Sequence, residues 1–324
     1  MIAIHPNDIC LSTNDVINPA FNTDGKRRTE LTVEEARTAL DFNIVKCPTY
    51  DRDGRRIPSL YHLQKDTDQS FIPCTGVGEK FTPVQHRDIF DYIATKVMPQ
   101  VPDLKLELCG TIHGGGVGLI AAQFGDTFSL PGDKSPNKMR LFFSNPSNGT
   151  GSLTLGFTTV RVVCENTLRA ATREAKADGW TIRHTQSAPE LTKNAVKAVQ
   201  AQAVAALEMK RRSERLARIG VGRADIEKCL DAIYPVEGLP DGFARTRLLN
   251  IRDAVMEQFE SGATAQTMTD DTAWKLFNSF TYPVFNPERL PKNKDRAEIQ
   301  YRSMVGETGD KVLRMFEAIE MAVA

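Results

Sequence analysis

Neither sign of charge is in excess in this chain of 324 residues: Lys and Arg number 41, and Asp and Glu number 41. A protein that coats itself in phosphate backbone carries a basic surplus, so any nucleic-acid contact has to come from a local patch. No apolar run approaches the ~20 residues that a membrane-spanning helix needs, so no membrane partner is expected. The opening Met1-Ile2-Ala3-Ile4-His5-Pro6-Asn7 has neither a basic stretch nor a long apolar one, and no secretory signal is expected. Cys10, Cys47, Cys74, Cys109, Cys164 and Cys229 are scattered singly, which excludes C-x-x-C pairs and zinc-ribbon spacing. The five histidines are scattered too, and H-E-x-x-H is absent. Neither a metal nor a cofactor is expected, and the thiols read as reduced side chains of a cytoplasmic protein.

What is present is ordinary for a globular chain, with 41% hydrophobic and 25% charged residues. Residues 1–30 mix Asn, Asp, Thr and Pro and read as a poorly ordered arm with room for a short strand. Thr32-Val33-Glu34-Glu35 is a capping box opening a short helix. Strands are expected at 43–50, 61–65 and 71–75. Thr82-Pro83-Val84-Gln85 reads as a second helix start, with Thr at the N-cap, Pro at N1 and Gln at N3. That helix carries Ile89, Phe90, Ile93 and Val97 on one face.

From Leu104 the period changes to two, with Leu104, Leu106 and Leu108 alternating with Lys105 and Glu107. More strands follow near 117–124, 127–130, 139–143 and 153–157, joined by short Gly/Asp/Asn turns that make them antiparallel neighbours. Residues 158–175 read as a helix and 180–184 as a last strand. Beyond 187 only helices are expected, at about 190–218, 223–233, 243–261, 271–280 and 296–322. The expected class is α+β: an antiparallel sheet with packed helices over 31–186, then a mainly helical region over 187–324 packed on or beside it.

Three stretches tempt a chemical reading. Gly114-Gly115-Gly116-Val117-Gly118 lacks the Gly-Lys-Ser/Thr ending of a phosphate loop and leads into a strand, so a hairpin turn is the expectation. Cys109 and His113 lie four apart on one strand face, but no third group orients them as a catalytic pair. The one local basic cluster is Lys210, Arg211, Arg212, Arg215, Arg218 and Arg223, set against Glu208 and Glu214. Arg211, Arg215 and Arg218 fall on one helical stripe. These cations suit a helix C-terminus and a solvated face, and equally a phosphate backbone. Trp274, Phe277 and Phe280, stepping by three, read as core.

Gly76-Val77-Gly78-Glu79-Lys80-Phe81-Thr82-Pro83-Val84-Gln85 and Phe157-Thr158-Thr159-Val160-Arg161-Val162-Val163-Cys164-Glu165-Asn166-Thr167-Leu168 resemble signatures of the phage/plasmid-like protein family known as domain of unknown function 932. Weaker echoes run in the same order, at 34–37, at 108–115 and at Trp274 with Asn278. The residues carrying the resemblance are Thr82, Pro83, Gln85, Arg161, Cys164, Asn166 and Thr167. Many members carry His-Asp-Gly-Ser where this chain has Ser147-Asn148-Gly149-Thr150, and an Asp-His pair where it has Pro283-Val284-Phe285. Both departures remove ionisable groups, and no catalytic residue is assigned. The resemblance implies carriage on phages or plasmids and no established activity. The leading expectation is a non-enzymatic accessory of a mobile element, in a bacterial cytoplasm, that binds or anneals single-stranded DNA. The rival is a module that binds a host protein, blunting a defence system or modulating a host enzyme. The sequence leaves the oligomeric state open.

Overall fold

The computed structural model describes residues 8–13, 22–101, 103–161, 167–170, 181–182, 184, 195–287, 298–299, 301–302 and 307–324. Among them the strands and helices follow the expected order. The strands are β1 (Cys10–Ser12), β2 (Ile44–Tyr50), β3 (Arg56–Lys65), β4 (Phe71–Val77), β5 (Leu104–Ile112), β6 (Val117–Phe128), β7 (Asn137–Pro146), β8 (Leu153–Arg161), β9 (Thr167–Ala170) and β10 (Thr181–Ile182). The helices are α1 (Val33–Thr38), α2 (His86–Tyr92), α3 (Ala195–Leu216), α4 (Arg223–Ile233), α5 (Phe243–Glu260), α6 (Ala263–Thr267), α7 (Ala273–Phe285) and α8 (Glu307–Val323). The class is α+β.

The main sheet is antiparallel in the order β1-β5-β6-β7-β8-β10, with β9 also pairing with β8. A second sheet, β2-β3-β4, is a three-stranded meander. Both faces of the main sheet are covered, which is why every residue of β7 is buried. One face carries Leu106, Cys109, Ile120, Ala122, Met139, Leu141, Phe143 and Phe157 into a core shared with α1, α2, α3 and the C-terminal helices. The other gathers Cys10, Leu108, Ile112, Val117, Leu119, Ala121 and Phe142. Each fully buried Leu or Phe contributes roughly 1.5–3 kcal/mol through the water it sheds.

Local signals hold where nothing distant competes. Thr32 accepts from the Glu35 N–H, and Glu35 reaches back to the Thr32 N–H, completing the capping box. In the second half Val199, Ala206, Met209, Ser213 and Leu216 form the buried stripe of α3. Trp274, Phe277 and Phe280 lie inside as expected. Within the segment read as an arm, β1 pairs with β5 and Cys10 is fully buried.

The strands expected near 117–124 and 127–130 are one, β6: Gly125, at φ 64°, sits in a register shift against β7 between Phe124 and Phe128 and does not reverse the chain. Three further readings need correction. Where the chain is described, the helix expected over 158–175 is strand: β8 runs on to Arg161 and β9, from Thr167, pairs antiparallel with it, with Thr159 opposite Leu168 and Val160 opposite Thr167. The β-branched run Thr158-Thr159-Val160 prefers a pleated surface, and β7 offers it a strand to pair with. The strict alternation through Leu108 also fails. A register shift between Leu106 and Leu108 makes Glu107 the extra residue of a bulge and sends Leu108 to the opposite face from Leu106. Third, residues 81–85 are not helical, and α2 begins at His86.

Candidate functional site

The reason α2 starts late defines the first candidate region. No side chain of the 82–85 motif caps the helix; its polar groups are drawn elsewhere. The Thr82 N–H donates to the His184 carbonyl at 3.3 Å, and the Val84 N–H to His184 Nδ1 at 3.3 Å. The Val84 carbonyl accepts from Asn145 Nδ2 at 2.8 Å and from Ser147 Oγ at 2.7 Å. Pro83 brings no N–H to satisfy. Gln85 behaves like a strand: its Oε1 accepts from the Ile44 N–H at 2.7 Å and its Nε2 donates to the Ile44 carbonyl at 3.1 Å. Residues 82–85 therefore tie the small sheet to the end of the main one.

The next residue continues the tie. His86 donates from Nε2 to the Gly115 carbonyl at 3.0 Å and accepts at Nδ1 from Asn145 at 2.8 Å, which fixes the neutral tautomer. Burial lowers its pKa to about 4, and burial does the same to His184, which stacks on Phe81. Sequence reasoning missed His86, Asn145, Ser147 and His184 as partners of the motif. Only the adjacency of His86 to Gln85 could have pointed to one of them.

The glycine run is the β5–β6 hairpin turn, as expected. Beside it, His113 donates from Nε2 to Glu298 at 2.8 Å, and Glu298 also accepts from Arg302 at 2.6 Å. Burial acts to raise the Glu298 pKa, but the hydrogen bonds from His113 and Arg302 outweigh it and hold the carboxyl below its ordinary value. Tyr301 sets its ring edge to His113 and its hydroxyl 3.2 Å from Ser144 Oγ. Cys109 is not part of this group: its thiol points to the Ala36 carbonyl at 3.5 Å, and burial raises its pKa. The paired Cys109/His113 reading is therefore excluded. Of the second signature, Arg161 ends β8 opposite Asn137 and Thr167 opens β9 opposite Val160, while Cys164 and Asn166 lie outside the described residues.

The second candidate region is the end of α3, and the structure divides its six cations. Arg212 is tied down: its guanidinium bonds the Glu320 carboxylate of α8 and lies over the Phe316 ring, 5.0 Å from the centroid. Lys210 sits 4.9 Å over the Phe128 ring and 3.9 Å from Glu214. Arg215 reaches the same Glu320 at 3.2 Å yet stays 62% exposed, and Arg211 is 77% exposed with Glu208 at 3.6 Å. Arg223 is 79% exposed beside Glu227, and Arg218 is exposed with no ion pair among the described residues. The stripe Arg211, Arg215, Arg218 thus faces outward, while Arg212 belongs to the packing of α3 on α8. The two candidate regions share no residue.

Among the described residues there is no cluster of three or more metal-ligating side chains, and no helix is long and apolar enough to cross a membrane. No curated protein and no solved structure matches the chain. A family model does match, over residues 74–305, taking in the 82–85 tie, the glycine turn, the β8–β9 pair and the Trp274 helix. The chain belongs to the family described as Domain of unknown function (DUF932).

Proposed function

We propose that this chain is a non-enzymatic accessory of a mobile genetic element that handles DNA by binding single strands. The observation that supports the reading is the outward stripe Arg211, Arg215 and Arg218 at the end of α3. Exposed ion pairs such as Arg211–Glu208 are worth under about 1 kcal/mol, so a phosphate can replace the carboxylate at little cost. Such contacts are sequence-tolerant and salt-dependent. Burial raises the pKa of the Cys10, Cys109 and Cys229 thiols, which disfavours the reactive thiolate at those three positions.

Fluorescence anisotropy with a labelled single-stranded oligonucleotide tests the proposal. Wild type should bind at low salt. Reversing Arg211, Arg215 and Arg218 to Glu should weaken binding and reduce the slope of log K against log salt by about 2. Absence of binding at low salt, or binding indifferent to the triple reversal, defeats it.

One observation favours the rival reading of a protein-binding module. The outer face of β2-β3-β4 presents Val45 and Phe71, 42% and 68% exposed, beside Cys47, His62 and Gln64, with no Lys, Arg, Asp or Glu at those register positions. An oligonucleotide ignored at low salt leaves that sheet face as the better functional surface.

A further inference from the structure

The β5–β6 turn does more than reverse the chain. Ile112 pairs with Val117, which leaves His113, Gly114, Gly115 and Gly116 to turn, closed by the Gly116 N–H donating to the His113 carbonyl at 3.2 Å. His113, Gly114 and Gly115 all have positive φ, at 56°, 68° and 86°. Glycine takes the two positions after His113 without strain, and a side chain at 115 would also strike Lys65 Cε. Successive backbone N–H groups in a turn can converge on one side and form a concave nest for an anion.

That nest is filled by the chain itself. The Gly114 N–H donates to Asp8 Oδ2 at 3.0 Å, and the Gly115 N–H to Asp8 Oδ1 at 2.7 Å. The Thr111 hydroxyl adds a third donor at 3.3 Å. Both carboxylate oxygens are thus held by adjacent backbone amides, the two-point geometry that an oxyanion of phosphorus also satisfies. The buried Lys65 lies alongside, its Nζ 3.0 Å from the vacant Cβ position of Gly115. Asp8 is brought there by a short strap: β1 makes three paired positions with β5, and the Thr111 N–H reaches the Ile9 carbonyl at 2.8 Å.

We infer that the Gly114–Gly115 turn is an anion seat with Asp8 as its built-in occupant, and that a phosphate group competes with Asp8 for it. The inference is independent of the arginine stripe. An internal carboxylate lowers the apparent affinity for an external anion by the fraction of time the seat is free. Removing the charge of Asp8 should therefore unmask phosphate binding.

The experiment titrates ¹⁵N-labelled wild type and Asp8→Asn with inorganic phosphate against chloride at matched ionic strength, following the Gly114 and Gly115 amides. Saturable shifts of both amides in Asp8→Asn, at a phosphate concentration roughly tenfold below that needed by wild type, support the seat. No saturable shift in the folded variant overturns it. If Asp8→Asn does not fold, Asp8→Ser replaces it in the same titration, and wild type is carried to about tenfold higher phosphate: saturable movement of those two amides in either supports the seat, and its absence in both overturns it. Repeating the titration with a short single-stranded oligonucleotide separates the sources. Movement of the same amides assigns the seat to a nucleic-acid backbone, and movement with inorganic phosphate alone assigns it to a small anion.

Discussion

Two regions of this molecule concentrate cations and treat them in opposite ways. Inside the main sheet the bulge in β5 turns Glu107 inward, where its carboxylate accepts from Lys138 at 2.9 Å and bonds Arg140. All three residues are buried, and Arg140 is among the largest fully enclosed side chains. At the end of α3 and the start of α4 the same residue types stand at the surface, with Arg211 and Arg223 more than three-quarters exposed. In the interior a charge is held by fixed partners, because removing one takes away stabilisation that water cannot replace there. At the surface water and salt stand in for any partner, and the side chain is available for exchange. Residue type alone does not tell which regime applies; the surroundings do.

The largest expected effect comes from the enclosed group. Glu107→Ala leaves two buried cations without the carboxylate between them and should lower unfolding free energy by roughly 3–5 kcal/mol in urea denaturation. A loss below about 1 kcal/mol would mean that water reaches this group and that the two regions are alike.

The next effect sharpens the contrast through pH. His86 and His184 are neutral inside the folded chain, with pKa values near 4 against an ordinary 6.5. The unfolded chain takes up protons first, so stability present above about pH 6.5 is lost as pH falls toward about 4, with about 2 kcal/mol gone per histidine at about pH 5. Flat stability between neutrality and about pH 5 would show that these imidazoles are not enclosed. The smallest effect belongs to the surface: Arg223→Ala should change stability by less than about 0.5 kcal/mol in the same assay.

The sequence made the fold class legible because most elements are set locally. The capping box at Thr32, the alternating leucines before the bulge, the Gly/Asp turns and the Ala-rich helix each depend on residues a few positions apart. The failures share a cause. α2 starts later than its local signal predicts because His184, Asn145 and Ser147 claim the polar groups of residues 82–84, from about 60 to 100 positions away. The helix expected from 158 fails because the β-branched run Thr158-Thr159-Val160 pairs with β7, about 20 positions away. For the candidate regions, the basic stripe was visible by helical spacing, but its division into a tied Arg212 and an outward Arg211, Arg215 and Arg218 depends on Glu320, which lies beyond any local window. Asp8 meeting Gly115 is likewise a contact that no spacing rule reaches.

The small sheet has two border strands, β2 and β4, and each contains a proline, Pro48 and Pro73. A proline offers no amide hydrogen, so a foreign strand laid along either border would find a missing rung. Lateral growth, whether by amyloid-like stacking or by a partner adding a fourth strand, is thereby discouraged, and visitors are steered to the flat side with Phe71.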